Sequence, residues 1–432
     1  MLLPRDHPQR RELNDEVHAR PPEALEAPLR LSYLALRSDW SQRQTELDHL
    51  AALLGRFGLP PPAADASHVS AALGGFRLVW ERHTEFARYT IIVPGLASAE
   101  DPFAAPAIDA APADWIAALP GEVMVAAHAA IQPAGEGPPD HEAIAARLFA
   151  GNALVGAGVG DAAVALTDFR IQADGFSRIL LLDRGVTPRQ AGRLVQRLLE
   201  IDTYRVMALL AFPVARTLAP FLAQRERALA EITTSLAGAA GIDEPGLLER
   251  LTRLEAEIDA SEAAHHYRFG AAIAYHELVR RRIGELREVR IRGLQPFGEF
   301  TERRLAPAMN TCLSVSRRLE SLSQRVARAT QLLSTRVEVQ RAAQQRQVLE
   351  SMNRRAAMQL RLQSTVEGLS AVAITYYLVG LIGYAAKGLG AVGLKLDQEA
   401  VLLVSIPLTA LAVVAAVRKL RAFVRGAIDQ HG

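Results

Sequence analysis

The first stretch whose residue types could do chemistry is HPQRRELNDEVHARP, from His7 to Pro21. Guanidinium groups bind anions through charged hydrogen bonds, and an imidazole can carry a proton near neutral pH. An anion or nucleotide pocket would be formed by Arg10, Asn14, His18 and Arg20. The favoured alternative is structural, with Asn14 to His18 as a helical turn whose charges pair with a neighbouring domain, because nothing here identifies a nucleophile.

A second candidate is the run ERHTEF, from Glu81 to Phe86, at a predicted turn between two strands. His83 together with Glu81 and Glu85 could bind a metal ion. Consecutive polar residues at a turn are usually solvated, and this is the interpretation that we favour.

The third candidate lies in a predicted acidic helix and consists of Asp259, Glu262 and His266. Spacings of three and four residues put these side chains on one helix face. Carboxylates with an imidazole suit a divalent cation, and this is the sole cofactor that the sequence suggests. A solvated patch is again the favoured alternative.

Established catalytic signatures are missing from the sequence. It has no hydrolase elbow, phosphate-binding glycine loop, dinucleotide fingerprint or zinc-type cysteine pair, and Cys312 is its one cysteine. The net charge of +2 provides no basic excess for nucleic acid. We therefore expect neither an enzyme nor a DNA or RNA partner.

Two uncharged segments of 18 residues, 369–386 and 400–417, are candidates for crossing a lipid bilayer. A helix needs roughly 17 to 25 residues to do so. Arg354, Arg355 and Arg361 precede the first segment and Arg418 and Lys419 follow the second, and positive residues mark the cytoplasmic side. The N-terminus has no apolar core of a signal peptide. The sequence thus predicts an inner-membrane hairpin with both termini cytoplasmic.

The first apolar segment contains residues suited to close packing or to a hydrated path. Gly380 and Gly383 allow a neighbouring helix to approach, and Thr375, Tyr376 and Tyr377 carry hydroxyl groups. Packing is the favoured role of these residues, and a hydrated path is the alternative.

The elements that must position these residues fall into two classes. Residues 27–183 alternate between strand and helix signals, which predicts an α+β domain with a mostly antiparallel sheet. The predicted strands are 28–36, 76–93, 122–132, 164–173 and 177–185, with helices near 41–56 and 141–151 and loops over 59–67 and 94–121.

Helical periodicity follows, over residues 188–200, 203–238, 243–293 and 298–366. The last of these helices continues into the first apolar segment and is too long for a globular core, so we predict a stalk. Its approximate heptad seam comprises Leu319, Leu322, Val326, Ala329 and Leu333, and turns polar at Gln340, Gln344, Gln345 and Gln347.

Charge is sorted between two of these helices. The stalk holds ten arginines and three glutamates between residues 317 and 361, whereas residues 243–262 hold seven acidic residues and two arginines. Either both are solvated faces, or the acidic helix lies against the basic stalk of its own or a neighbouring subunit.

The motifs HPQRRELNDEVHARP, WERHTEF and LQSTVEGLSAVAITYYLVGLIGYAAKG resemble the bacterial family catalogued as domain of unknown function 3422. The order of elements is also similar to CorA-type magnesium channels. Those are pentamers whose first span lines the pore, so this resemblance implies a homo-oligomer. The CorA pattern of Gly, any, any, Gly-Met-Asn falls on Gly380 to Ala385, where Tyr384 and Ala385 replace Met and Asn, and Lys387 follows.

We accordingly expect a homo-oligomeric, CorA-like membrane protein that transports ions, with Glu367 at the cytoplasmic entrance and the hydroxyl groups of the first span touching the permeating ion. The alternative is a membrane-anchored scaffold or regulator. The predicted segments are an α+β domain (1–186), long antiparallel helices (187–296), a stalk helix (297–367), a transmembrane hairpin (368–417) and a basic cytoplasmic tail (418–432).

Overall fold

The computed structural model describes residues 5–16, 22–135, 137, 139–160, 162–238, 243–391 and 397–428. The chain forms two compact units, residues 1–330 and 331–432. The finer division into five segments stays a prediction.

One eight-stranded sheet forms the centre of the described part of the first unit. Its strands are β1 (Leu29–Arg37), β2 (His68–Leu73), β3 (Phe76–Arg82), β4 (Phe86–Pro94), β5 (Glu122–Pro133), β6 (Val155–Val159), β7 (Ala163–Thr167) and β8 (Ser177–Asp183). Their order is β2-β3-β4-β1-β5-β8-β7-β6, and all neighbours are antiparallel except β5 and β8. The predicted α+β class with a mostly antiparallel sheet is confirmed.

Long helices make up most of the remaining chain, as predicted. The helices are α1 (Arg10–Glu16), α2 (Arg43–Arg56), α3 (Ala113–Ala117), α4 (His141–Leu148), α5 (Pro188–Leu209), α6 (Ala211–Ala237), α7 (Glu244–Leu286), α8 (Phe297–Arg304), α9 (Ala306–Ala391) and α10 (Gln398–Ile428). The start of α5 is fixed by a capping box between Thr187 and Gln190, with Pro188 in its first turn.

The sheet has two different faces because side chains alternate along each strand. One face is apolar and packs against α2 and α3 through a buried cluster that includes Leu34, Leu50, Trp80, Tyr89 and Trp115. Tyr33, Glu81 and Arg88 are each adjacent in the chain to one of these strand residues. Their side chains therefore point to the opposite face of the sheet. There Tyr33 Oη lies 2.8 Å from Thr203 Oγ1 of α5.

The helix α9 contains 86 residues, or about 130 Å at 1.5 Å per residue. The predicted continuity of the stalk with the first apolar segment is therefore confirmed. In the predicted seam Leu319, Leu322, Val326 and Leu333 are buried and Ala329 is partly buried, whereas the four glutamines that follow are exposed.

Several boundaries differ from the sequence prediction, and the strand predicted over 164–173 ends at Thr167. The break expected near 201–202 lies at Leu210, because Ile201 and Asp202 are buried in the continuing α5. α7 ends at Leu286 instead of 293, since Arg287 is left-handed and Val289 exchanges backbone hydrogen bonds with Gly158 of β6. Leu305 separates the short α8 from α9.

Two strands, β2 and β6, escaped prediction. The sequence of β6, VGAGV, contains two glycines, which are unfavourable in strands. In β2, HVSAAL, small and polar residues dilute the apolar alternation. Both strands are specified by their partners in the sheet more than by local propensity.

Three helical stretches among the described residues are long and apolar enough to cross a membrane: 188–237, 306–388 and 399–419. In the most apolar 18 residues of each stretch, the share of buried residues is 33%, 11% and 6%, respectively. The first stretch comprises α5 and α6 and was not predicted as a span. The α5 part of this stretch covers the sheet and buries Leu194, Leu198 and Ile201, among others.

Candidate functional site

The charged residues around the β3–β4 turn are drawn into the interior of the first unit. Glu81 and Arg88 are directly opposite each other in the strand register and form an ion pair. Both belong to the face that α5 covers, and they are only 5% and 6% exposed. The expectation that this turn is simply solvated is therefore wrong.

Arg88 also reaches Glu200 on α5, with Nη1 3.3 Å from Oε1. The other oxygen of Glu200 accepts from Arg282 Nε of α7 at 2.5 Å. Burial alone would lower the pKa of Arg88, but Glu81 and Glu200 outweigh it and raise that pKa above its usual value. The guanidinium thus stays charged and joins the sheet to α5, and α5 to α7.

Arg82 points to the other side of the hairpin and pairs with Glu46 of α2 at 2.5 Å. These side chains are 3% and 0% exposed. Arg82 Nη2 also donates to the carbonyl of Asp39 at 2.7 Å. The pair therefore fixes α2 to the hairpin from the apolar face of the sheet.

Glu85 completes the set through a two-pronged contact with Arg268 of α7, at 2.8 and 3.1 Å. Its side chain is 13% exposed. We call Glu46, Glu81, Arg82, Glu85, Arg88, Glu200, Arg268 and Arg282 the buried charge network. The network connects one hairpin to three helices, and such pairs specify how elements dock even where desolvation cancels their net stabilisation.

A small cavity adjoins the network, lined by Tyr33, Glu81, Arg88 and Gln196 among others. Its volume is about 50 Å³, which admits one or a few waters but no organic substrate. Burial raises the pKa of the Tyr33 hydroxyl above its usual range. The arrangement holds fixed charges and offers no nucleophile with an accessible base.

Metal binding at this turn finds little support. His68 Nε2 and His83 Nε2 lie 4.0 and 3.9 Å from Glu81 oxygens, but Glu85 is turned toward Arg268. Among the described residues no three His, Cys, Asp or Glu side chains are grouped to hold a metal ion.

The same finding covers the face of Asp259, Glu262 and His266 on α7. Asp259 Oδ1 instead lies 3.4 Å from Ser323 Oγ of α9, and His266 is exposed. The divalent-ion site on this helix stays a prediction.

Ion pairs join both the acidic helix α7 and the stalk helix α9 to α6. Glu257 of the acidic helix pairs with Arg225 of α6 at 2.8 Å. The adjacent Glu226 accepts from Arg318 of α9 at 2.8 and 3.2 Å. Ion pairs thus link the acidic helix and the stalk by way of α6, in addition to the direct contact between Asp259 and Ser323.

The predicted N-terminal pocket is described in part. Arg10 and Asn14 lie on α1, are exposed, and contact Asp6 and Asp15 within the same segment. His18 and Arg20 fall outside the described residues. The pocket therefore stays a prediction.

The residues proposed for the first apolar segment lie along α9. Tyr376, Tyr377 and Tyr384 are 77%, 71% and 78% exposed. Thr375 Oγ1 donates to the Ala371 carbonyl at 2.8 Å, and Glu367 accepts from Gln363 one turn before it.

The two glycines of this segment differ in their surroundings. A Cβ on Gly383 would lie 3.4 Å from Leu402 Cδ2 of α10, whereas one on Gly380 would meet nothing within 4 Å. Gly383 thus lies where the two apolar helices approach each other, which fits the packing role.

Sequence reasoning missed the partners Glu46, Glu200 and Arg282. One signal was present, since Glu200 and Asp202 alternate with the apolar residues Leu198, Leu199 and Ile201 of α5. A charge inside an apolar run indicates a buried partner.

Comparison with known proteins gives one match. No curated protein and no solved structure matches this chain significantly. A family model described as "Protein of unknown function (DUF3422)" matches residues 5–424. The match covers nearly the whole sequence, and the chain belongs to this family.

Proposed function

We propose that this protein is a homo-oligomeric ion-transport protein of CorA-like organisation, embedded in a bacterial inner membrane. The sheet domain and both termini lie in the cytoplasm, and the sheet domain regulates transport. The observation that carries the proposal is the continuity of α9, a single 86-residue helix that includes both the buried residues Leu319, Leu322 and Val326 and the first apolar segment.

Contact with lipid is supported by the surfaces of α9 and α10. Large apolar side chains are exposed along both, among them Leu381 at 64%, Leu403 at 77% and Leu411 at 74%. Water would oppose such exposure, whereas a bilayer favours it. The arginines that flank the two segments support the cytoplasmic placement of both ends.

A hydrated path is supported by the hydroxyl groups of the first segment. Tyr376, Tyr377 and Tyr384 present theirs outside the chain's own packing. Hydroxyl groups in hydrocarbon lack partners, whereas in a lumen formed by several copies they could replace waters around an ion. Glu367, two residues before the apolar segment, would meet the ion first.

Ion flux into liposomes that contain the purified protein tests the proposal. We expect protein-dependent flux of at least one common ion, and a changed rate for Tyr377→Phe, which removes one hydroxyl. Leu403→Ile on α10 serves as the control and should retain the normal rate. If correctly inserted protein gives no flux of any common ion, the proposal is wrong.

A membrane-anchored scaffold or regulator is the second candidate function. The approach of Gly383 to Leu402 favours it, because this contact closes the hairpin on itself without other copies. Replacing residues 368–417 with an unrelated two-span anchor distinguishes a scaffold from a transporter. A scaffold keeps its cellular phenotype after this exchange, and a transporter loses it.

Enzymatic activity is no part of the proposal. The sequence argument for it rests on His18 and Arg20. A double His18→Ala, Arg20→Ala variant should assemble and act normally, and a selective loss of phenotype in correctly assembled protein would count against us.

A further inference from the structure

A basic cleft lies between α5 and the end of α7, outside the buried charge network and unused by the proposed function. Its volume is about 510 Å³, within the roughly 300–1,000 Å³ usual for small-molecule sites. Its charged and amide-bearing lining residues are Gln190, Arg193, Arg197, Arg281, Glu285 and Arg287. Four positive charges therefore line the cleft with one negative charge.

The arginines form two opposing rows. Gln190, Arg193 and Arg197 are three and four residues apart and share one face of α5. Arg281 belongs to α7, and Arg287 follows directly at its C-terminal end with a φ of 48°. Because α5 and α7 pack side by side, the two rows meet across one space.

The single carboxylate of the cleft is already engaged. Glu285 accepts from Arg197 Nε at 3.2 Å and from Arg282 Nη1 at 2.9 Å. Arg193, Arg281 and Arg287 are exposed and have no acidic partner within the described part of the chain. Three guanidinium groups are thus left with unused donors around the same cavity.

Two further residues suit the cleft to a ligand. Gln190 Oε1 accepts from the Thr187 backbone N and Oγ1 at 2.9 and 2.8 Å, which leaves the Gln190 amide NH₂ as a donor. Gly284 also lines the cleft, and a Cβ on it would meet nothing within 4 Å, so α7 leaves open space there. Val186, Leu194 and Leu286 add an apolar part to the lining.

We propose that this cleft binds a nucleoside diphosphate or triphosphate. Guanidinium groups hold phosphate oxygens in pairs, and a chain of phosphates is long enough to meet both rows of arginines. Val186, which is partly exposed, and the aliphatic stems of the exposed arginines provide an apolar surface for the nucleoside. This inference is independent of ion transport, because binding can be measured without flux.

Calorimetric titration of the full-length protein in detergent with ADP and ATP tests the proposal. We expect saturable binding at one site per chain that weakens as salt is added, because exposed charges are screened. The double variant R193A/R287A should bind at least about tenfold more weakly, since two charged hydrogen-bonding groups are lost. R328A, which removes an exposed arginine of α9, is the matched control and should bind normally.

A second variant covers the case in which the arginine changes disturb folding. Gly284→Leu fills the open space without changing any charge, and it should also weaken binding at least about tenfold. The absence of saturable binding, or normal affinity in both cleft variants, would overturn the proposal. Equal affinity for inorganic pyrophosphate and ATP would overturn the assignment to a nucleotide.

Discussion

The helix pair α5–α6 and the helix α10 are both apolar enough to cross a membrane, yet their surroundings are opposite. A third of the most apolar window in residues 188–237 is buried within the chain, compared with 6% of that in 399–419. α5 also carries Glu200 and Asp202, both buried and both paired with arginines. Residues 400–417 carry no charge.

The comparison teaches that apolar composition alone does not identify a span. One face of α5 is apolar because it covers a sheet, and the acidic residues Glu200 and Asp202 are accommodated because arginines of β4, α5 and α7 meet them. In α10 the apolar side chains remain outside. A helix that covers a protein core, such as α5, can contain buried charged residues with charged partners, whereas the apolar segment of α10 contains no charge.

The largest effect should come from breaking the buried charge network. Arg88→Met leaves Glu81 with two imidazoles about 4 Å away and removes one partner of Glu200. Loss of one member of a buried pair typically costs about 3–5 kcal/mol of unfolding free energy. Chemical unfolding of the full chain in detergent would measure this.

The matched control is Arg253→Met, which breaks an exposed pair with Glu249 on α7. It should change the unfolding free energy by less than about 1 kcal/mol. Equal effects of both changes would mean that the network is no more important than a surface pair.

A charge placed on α10 should act on insertion and not on the sheet domain. Leu411 is 74% exposed, and an arginine at the centre of a span costs about 3 kcal/mol of insertion free energy. Leu411→Arg should therefore reduce the share of protein that resists alkaline extraction from membranes, whereas Leu411→Phe should not. Unchanged extraction of Leu411→Arg would contradict a membrane role for α10.

Acid should act on the first unit through His128 of β5. The His128 side chain is 3% exposed, and this burial lowers its pKa to about 4 from the usual 6.5. Between these values the unfolded chain binds a proton that the folded chain does not. Stability should therefore be complete above pH 6.5 and fall progressively toward pH 4, by up to about 3 kcal/mol.

Unfolding measured across this pH range in a His128→Gln variant tests the assignment, because the variant should show a shallower dependence. His266→Gln, at an exposed position on α7, is the control and should leave the pH profile as it is. An unchanged profile in His128→Gln would assign the acid sensitivity to another group.

The smallest effect should come from Glu226, which links α6 to Arg318 of α9. Its hydrogen bonds from Arg318 hold its pKa below the usual range, so the stabilisation is present at neutral pH and lost as pH falls through that lowered pKa. The pair is partly exposed, and Glu226→Gln should cost less than about 1 kcal/mol. High salt should diminish the difference in thermal unfolding from the unchanged protein, and a difference that grows with salt would refute the ion-pair explanation.

Elements with strong local patterns were predictable from the sequence. β1, β4, β5 and the long helices follow apolar alternation or helical periodicity, and the continuity of α9 follows from the lack of a breaker before residue 368. β6 and the end of α7 were not predictable, because they pair with each other across more than a hundred residues.

The candidate site was less predictable than the fold. The motif around Glu81 was recognised as unusual, but its partners Glu46, Glu200 and Arg268 are far away in the sequence. Charge counts left open whether the acidic helix is solvated or lies against the basic stalk, and the structure gives Glu257 an arginine of α6. The residue types showed which charged groups needed partners. Only the folded chain showed which residues those partners are.

The buried charge network also sets an order of events during synthesis. Arg282 is its last member along the chain, and Leu369 begins the first apolar segment roughly 90 residues later. At about 5–20 residues per second, translation takes roughly 5 to 20 s to cover that distance. The sheet and its helices can therefore close over their charges before the apolar segments leave the ribosome.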